Sequence, residues 1–142
     1  MLPQIKSFVM NHWALVGGFV VVAIMLVVEE IRAQGPKKSR LTAAGVTQLI
    51  NHEDAIVIDV RDAAAFREGH IVNAKNFPAV DFDRQIDKIN RDRPIVLVDS
   101  MGEKTAGLIV KLNKAGFQKV FAMKNGMDGW KTSEMPIVKG QK

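Results

Sequence analysis

The sequence contains no cysteine among its 142 residues. That excludes disulfides, thiolate-ligated metals and any thiol nucleophile, while leaving the compartment open. Histidine is scarce: His12, His52 and His70 are far apart and show no metal-ligand spacing. Internal repeats and low-complexity tracts are also absent. Aromatic residues make up 6% of the chain, and Lys104, Lys111, Lys114, Lys119, Lys124, Lys131 and Lys139 are spread without a basic-aromatic pattern. This spacing disfavours a nucleic-acid site and suits a solvated or membrane-facing surface. Neither a metal nor a cofactor is expected.

Polar side chains are missing from Trp13 to Val28, and Phe8-Val9-Met10 extends the apolar character across Asn11 and His12. As a helix, Phe8 to Val28 spans about 31 Å, one hydrocarbon core. A cleaved signal peptide is the rival reading. It is opposed by the weakly charged start, with only Lys6, and by the far flank Glu29-Glu30-Ile31-Arg32, which has no small-x-small cleavage site. A core helix would rarely be apolar all round. The segment is therefore expected to be a single transmembrane anchor. Ala14, Gly17 and Gly18 give one of its faces almost no side-chain bulk, a spacing that allows close approach to another membrane helix.

The 20 cations and 15 anions leave a net charge of +5. Before Gln34, Lys6 and Arg32 cancel Glu29 and Glu30, so the excess belongs to the remainder. Lys6 stands alone before the span, whereas Arg32, Lys37, Lys38 and Arg40 follow it. The positive-inside rule places the amino end outside and the rest of the chain in the cytoplasm. The expected division is an anchor over residues 1–33, a breaker-and-charge linker over 34–39, and one domain over 40–142. Extended, the linker reaches roughly 20 Å, which keeps the domain near the bilayer.

The domain alternates short β-branched runs with helical patterns. Arg40-Leu41 reads as a brief strand, and Thr42 caps a helix through about Asn51. A second strand covers Ala55 to Val60. Asp62 caps a short helix, Ala63 to Arg67, ending at Gly69, and Ile71 to Phe77 returns to the sheet. Phe82, Ile86 and Ile89 repeat at helical spacing. Ile95 to Val98 forms a buried strand, Thr105 to Ala115 a helix, Val120 to Met123 a last strand, and Asn125-Gly126 turns into a helix carrying Trp130. This alternation predicts an α/β fold, a parallel sheet flanked by helices on both faces.

The loop Asp99-Ser100-Met101-Gly102-Glu103-Lys104-Thr105 joins the Ile95–Val98 strand to its helix. A strand-loop-helix unit aims backbone N–H groups and the positive helix end at the loop, which suits an anion or a low-pKa thiolate. The residue entering it is an aspartate. Asp59 and Arg61 are expected to form a polar network at the end of a neighbouring strand, and His70 and Trp130 are read as structural.

Three stretches together resemble the rhodanese family. Ile58-Asp59-Val60-Arg61, followed by Phe66-Arg67-Glu68-Gly69-His70-Ile71-Val72-Asn73-Ala74-Lys75-Asn76-Phe77-Pro78, looks like its amino-terminal signature. Ala115-Gly116-Phe117-Gln118-Lys119-Val120 and Lys124-Asn125-Gly126-Met127-Asp128-Gly129-Trp130 look like its closing segment. With an apolar helix in front, the chain is similar to single-pass, membrane-anchored rhodanese-like proteins of Gram-negative bacteria. The resemblance implies a rhodanese-like domain over about Leu41 to Val138.

Active members carry a catalytic cysteine at the end of the central strand, which accepts a sulfane sulfur as a persulfide. The matching position here is Asp99, a poor sulfur acceptor that would repel thiosulfate. Gly102 falls where the family's loop often has glycine, and Lys104 lies near an often basic position. Asp99 is expected to be an internal anion or helix cap, not a nucleophile. The function implied is a catalytically inactive, membrane-tethered binding or adaptor module at the cytoplasmic face of the inner membrane, with a membrane protein as partner. The alternatives are a sulfurtransferase-related enzyme using a partner's cysteine, hydrolysis with Asp99 as nucleophile, and a small-anion receptor at the Asp99–Thr105 loop.

Overall fold

The computed structural model describes residues 2–140, with side chains described for 3–30 and 39–140. The side chains of Arg32, Lys37 and Lys38, which enter the orientation argument, lie outside the described part. The chain divides into two compact units, Met1–Lys37 and Lys38–Lys142.

The first unit is helical. Helix α1 (Leu2–Asn11) and helix α2 (Trp13–Lys38) meet at His12. The His12 N–H donates to the Phe8 carbonyl and the Val16 N–H to the His12 carbonyl, both at 3.0 Å, so the ladder crosses the junction. The window Trp13–Glu30 has a mean hydropathy of 2.0, and none of it is buried. Among the described residues it is the one helix long and apolar enough to cross a membrane. Ala14, Gly17 and Gly18 share the first turns of α2, and a Cβ added at either glycine would meet nothing within 4 Å. Residues 34–38, expected as a linker, are instead the end of α2. The preceding Glu29-Glu30-Ile31-Arg32-Ala33-Gln34 is rich in helix formers. Pro36 removes a single ladder donor, and in this helix Gly35-Pro36 do not act as a stop.

The second unit is built on a five-stranded parallel sheet. Its strands are β1 (Arg40–Leu41), β2 (Ile56–Asp59), β3 (Lys75–Asn76), β4 (Ile95–Val98) and β5 (Val120–Met123), in the spatial order β1-β5-β4-β2-β3. Strand β4 lies in the centre, and all four of its residues are buried. Side-chain alternation divides β2, β4 and β5 between two cores. Ile56, Ile58, Ile95 and Leu97 join Phe82, Ile109, Leu112 and Phe117 on one face. Val57, Val96 and Val98 join Val46, Phe66, Met127 and Trp130 on the other.

Helices cover both faces: α3 (Ala43–Glu53), α4 (Ala63–Glu68) and α7 (Gly126–Thr132) supply the second core, while α5 (Phe82–Gln85) and α6 (Ala106–Lys114) supply the first. The expected caps are present. The Gly45 N–H donates to Thr42 Oγ1 at 3.2 Å, and the Ala65 N–H donates to Asp62 Oδ1 at 2.7 Å. Two elements are shorter than their sequence pattern. Only Lys75–Asn76 of the Ile71–Phe77 run is strand, because β3 is an edge paired with β2 alone. The Phe82–Ile89 repeat is one α-turn flanked by 3-10 turns, Ala79–Asp81 and Ile86–Lys88.

Candidate functional site

In a parallel sheet the loops after the strands gather at one edge, where crevices form. Asp59 pairs in register with Val98, so the ends of β2 and β4 lie side by side and deliver Arg61 and Asp99 to the same place. The Val60 N–H donates to the Val98 carbonyl at 2.8 Å. The chain after β3 is drawn to this edge as well. The Phe77 N–H bonds the Asp59 carbonyl and the Ala79 N–H the Val60 carbonyl, at 2.9 and 3.1 Å. The result is a cavity of about 330 Å³ walled by Val60, Ala65, Pro78, Val80 and Met101. Arg61, Asp99, Ser100, Glu103 and Lys104 also line it. Val80 and Met101 are 91% and 63% exposed, so two apolar side chains stand in solvent beside a polar loop.

Asp99 is only 4% exposed, and its carboxylate is turned back into its own loop. Oδ1 accepts the Gly102 N–H at 2.5 Å and Oδ2 accepts the Lys104 N–H at 2.8 Å. Both donors belong to the turn before α6, so the carboxylate caps the loop rather than the first turn of the helix. Gly102 has φ +85°, the left-handed region glycine tolerates best, and its Cα faces the Met123 carbonyl and Asn125 N–H. The other side is closed by α7. The Met127 N–H donates to the Asp99 carbonyl at 2.8 Å, and the Asp128 N–H donates to that of Ser100 at 3.1 Å. A Cβ at Gly126 would lie 2.3 Å from the Asp99 carbonyl oxygen. Thr105 is fully buried, and its Oγ1 has no hydrogen-bond partner.

Asp59 and Arg61 form a second polar unit at this edge. Arg61 Nε lies 3.0 Å from Asp59 Oδ1, and Nη2 lies 2.7 Å from Oδ2, a two-pronged pair with side-chain exposures of 9% and 1%. The same Nη2 donates to the Gly69 carbonyl at 2.7 Å, and Asn76 Nδ2 spans the Asp59 and Arg61 carbonyls. Arg61 lines the cavity but is already committed to Asp59. His70 is buried, stacks on Phe66 at 3.7 Å and bonds its carbonyl through Nδ1 at 2.8 Å. Trp130 is packed in the core with its Nε1–H on the Pro136 carbonyl. Among the described residues, no group of three or more potential metal ligands converges.

The loop, Asp59 and Arg61 are therefore brought together, while Ala14, Gly17 and Gly18 belong to the separate helical unit. Sequence reasoning missed the wall formed by Pro78 and Val80 and the closure by α7. The available signal for that closure was Asn125-Gly126, a turn dipeptide whose glycine admits close backbone approach.

A family model described as Rhodanese-like domain matches residues 42–133. Fold and sequence agree, and the chain belongs to the rhodanese-like family. Over 144 aligned residues it is 31% identical to the uncharacterized protein YibN of Escherichia coli K12, covering 99% of this chain and 100% of that one. It is 26% identical to the thiosulfate sulfurtransferase GlpE of Glaesserella parasuis, covering 72% and 94% of the two chains. A rhodanese-related protein from Thermoplasma volcanium has the same fold, with a TM-score of 0.66, 22% identity and coverage of 71% and 98%. Without any cysteine, this chain lacks the family's persulfide-forming nucleophile and is inactive by that route.

Proposed function

We propose that this protein is a membrane-tethered, non-catalytic rhodanese-like domain that serves as a binding or adaptor module at the cytoplasmic face of the bacterial inner membrane. The observation that carries the tether is the Trp13–Glu30 window, without a polar side chain as far as Val28 and with none of its residues buried. Such a surface needs lipid or protein cover. The excess of cations after the span supports the orientation. A binding role is supported by a cavity walled with exposed Val80 and Met101 beside a loop whose reactive position holds a self-bonded carboxylate. The small-anion receptor is disfavoured, because the Asp99 carboxylate stands where the anion would sit. In this reading, Ala14, Gly17 and Gly18 give the helix a face for lateral contact with another membrane protein.

The test uses the full chain. It should remain in the membrane pellet after alkaline carbonate extraction, and protease should reach the domain only when spheroplasts are lysed. Extraction into the supernatant, or digestion in intact spheroplasts, would reverse the tether or its orientation respectively. Replacing Gly17 and Gly18 with leucine should preserve insertion and reduce crosslinking to the membrane partner. Equal crosslinking would confine binding to the domain.

A further inference from the structure

We propose that the cavity and the depression beside it dock a basic, apolar segment of another inner-membrane protein, the stretch where that protein's span meets the cytoplasm. The proposal rests on the tethered, cytoplasmic reading above and adds the chemistry of the partner. Met101 and Glu103 line the cavity of about 330 Å³ on one side and a second depression of about 500 Å³ on the other. The two spaces are unlike. The first is walled by apolar side chains, including the exposed Val80 and Met101. The second is polar, lined by Asn125, Asp128, Thr132 and Ser133 of the α7 segment. An apolar socket and a polar shelf therefore share one wall.

The charges here run against those of the chain. The sequence carries a net +5, yet four carboxylates, Asp62, Asp99, Glu103 and Asp128, line the two depressions. Of the cations lining them, Arg61 is already paired with Asp59, which leaves Lys104. Asp99 is held by loop N–H groups, and Asp62 caps α4. Glu103 and Asp128 are exposed, and among the described residues their carboxylates have no partner. A ligand that seats an apolar side chain in the socket meets these carboxylates next, and lysine or arginine is their complement. Membrane proteins carry that combination at the cytoplasmic ends of their spans, where apolar residues give way to cations. A domain tethered at the same face meets such segments at raised effective concentration.

The experiment follows the backbone amide resonances of the full chain in zwitterionic detergent micelles during titration with synthetic peptides. Empty micelles correct for peptide taken up by detergent. One peptide carries leucine flanked by lysines. In a second, glutamates replace the lysines, and in a third, serine replaces the leucine. The lysine–leucine peptide should shift the Met101, Glu103 and Asp128 amides saturably, with each of the others roughly tenfold weaker. Glu103→Gln with Asp128→Asn should weaken that peptide roughly five- to tenfold at low salt, and added salt should shrink the difference. Val80→Ser should weaken it at every salt concentration. Equal binding of the glutamate peptide would refute the charge complementarity, and equal binding of the serine peptide would show that the cavity takes no apolar anchor. The proposal is also overturned if no peptide shifts these amides saturably. Self-association of the chain that Glu103→Gln with Asp128→Asn abolishes would place a second copy in the site and overturn it too. Peptide binding in micelles depends on neither the tether nor its orientation, so failure here leaves the carbonate and protease results standing.

Discussion

At the scale of single residues, the edge of the sheet holds two carboxylates with opposite relations to charge. Asp59 is held by a cation, and Asp99 by backbone N–H groups alone among the described contacts. Removing the cation should be costly. Arg61→Met leaves Asp59 buried and unpaired, a change worth about 3–5 kcal/mol, which urea unfolding would register as a lower midpoint. Arg61→Lys should recover little, because one ammonium cannot reproduce the two-pronged pair and the bond to the Gly69 carbonyl. A midpoint for Arg61→Met within error of the natural chain would mean that the pair is not a strut. Thr105→Val should behave differently. It exchanges an unpartnered buried hydroxyl for a methyl of similar size, so stability should stay within about 1 kcal/mol or rise. A clear loss in thermal unfolding would reveal a hydrogen bond at Oγ1.

At the scale of elements, the site is a junction where β4 ends between the starts of α6 and α7. The close approach depends on glycine at two points, Gly102 and Gly126, both with positive φ. Gly126→Ala would force a Cβ against the Asp99 and Ser100 backbone at 2.3 and 2.7 Å. The overpacking alone costs about 1–3 kcal/mol. Gly107 provides the contrast. It lies within α6 with nothing inside 4 Å of an added Cβ, and Gly107→Ala should stabilise by up to about 1 kcal/mol. Chemical denaturation of the two variants should therefore move in opposite directions. Movement in the same direction would contradict the packing at the α7 junction.

At the scale of the whole molecule, a two-faced parallel sheet and an apolar helix treat their apolar side chains differently. The sheet buries its strands between two layers of helices, whereas the helix displays Trp13, Leu15 and Phe19 at more than 70% exposure. Charge placed in the helix centre should discriminate between them. Val21→Arg together with Ile24→Arg adds about 5–7 kcal/mol to membrane insertion, at about 2.5–3.5 kcal/mol per arginine. The double variant should leave the membrane pellet, while the domain keeps the far-ultraviolet dichroism of its sheet. Undiminished pelleting would indicate that the helix is held by something other than the bilayer.

Much of this molecule was determined by sequence alone, because the governing forces are local or periodic. The β-branched runs Ile56–Asp59 and Ile95–Val98, the capping residues Thr42 and Asp62 and the long apolar run each act through neighbours a few residues away. The missing cysteine excluded thiol chemistry without any coordinates. Tertiary structure decided what long-range contacts control. The short edge strand β3 depends on pairing with β2. Above all, the sequence places an aspartate at the mouth of a loop but does not say which way its carboxylate turns. That direction depends on Gly102 and Lys104 presenting their N–H groups to it and on Gly126, distant in sequence, closing the space behind it. A hydrogen-bonded turn is specified by three-dimensional convergence, and spacing along the chain carries no record of it.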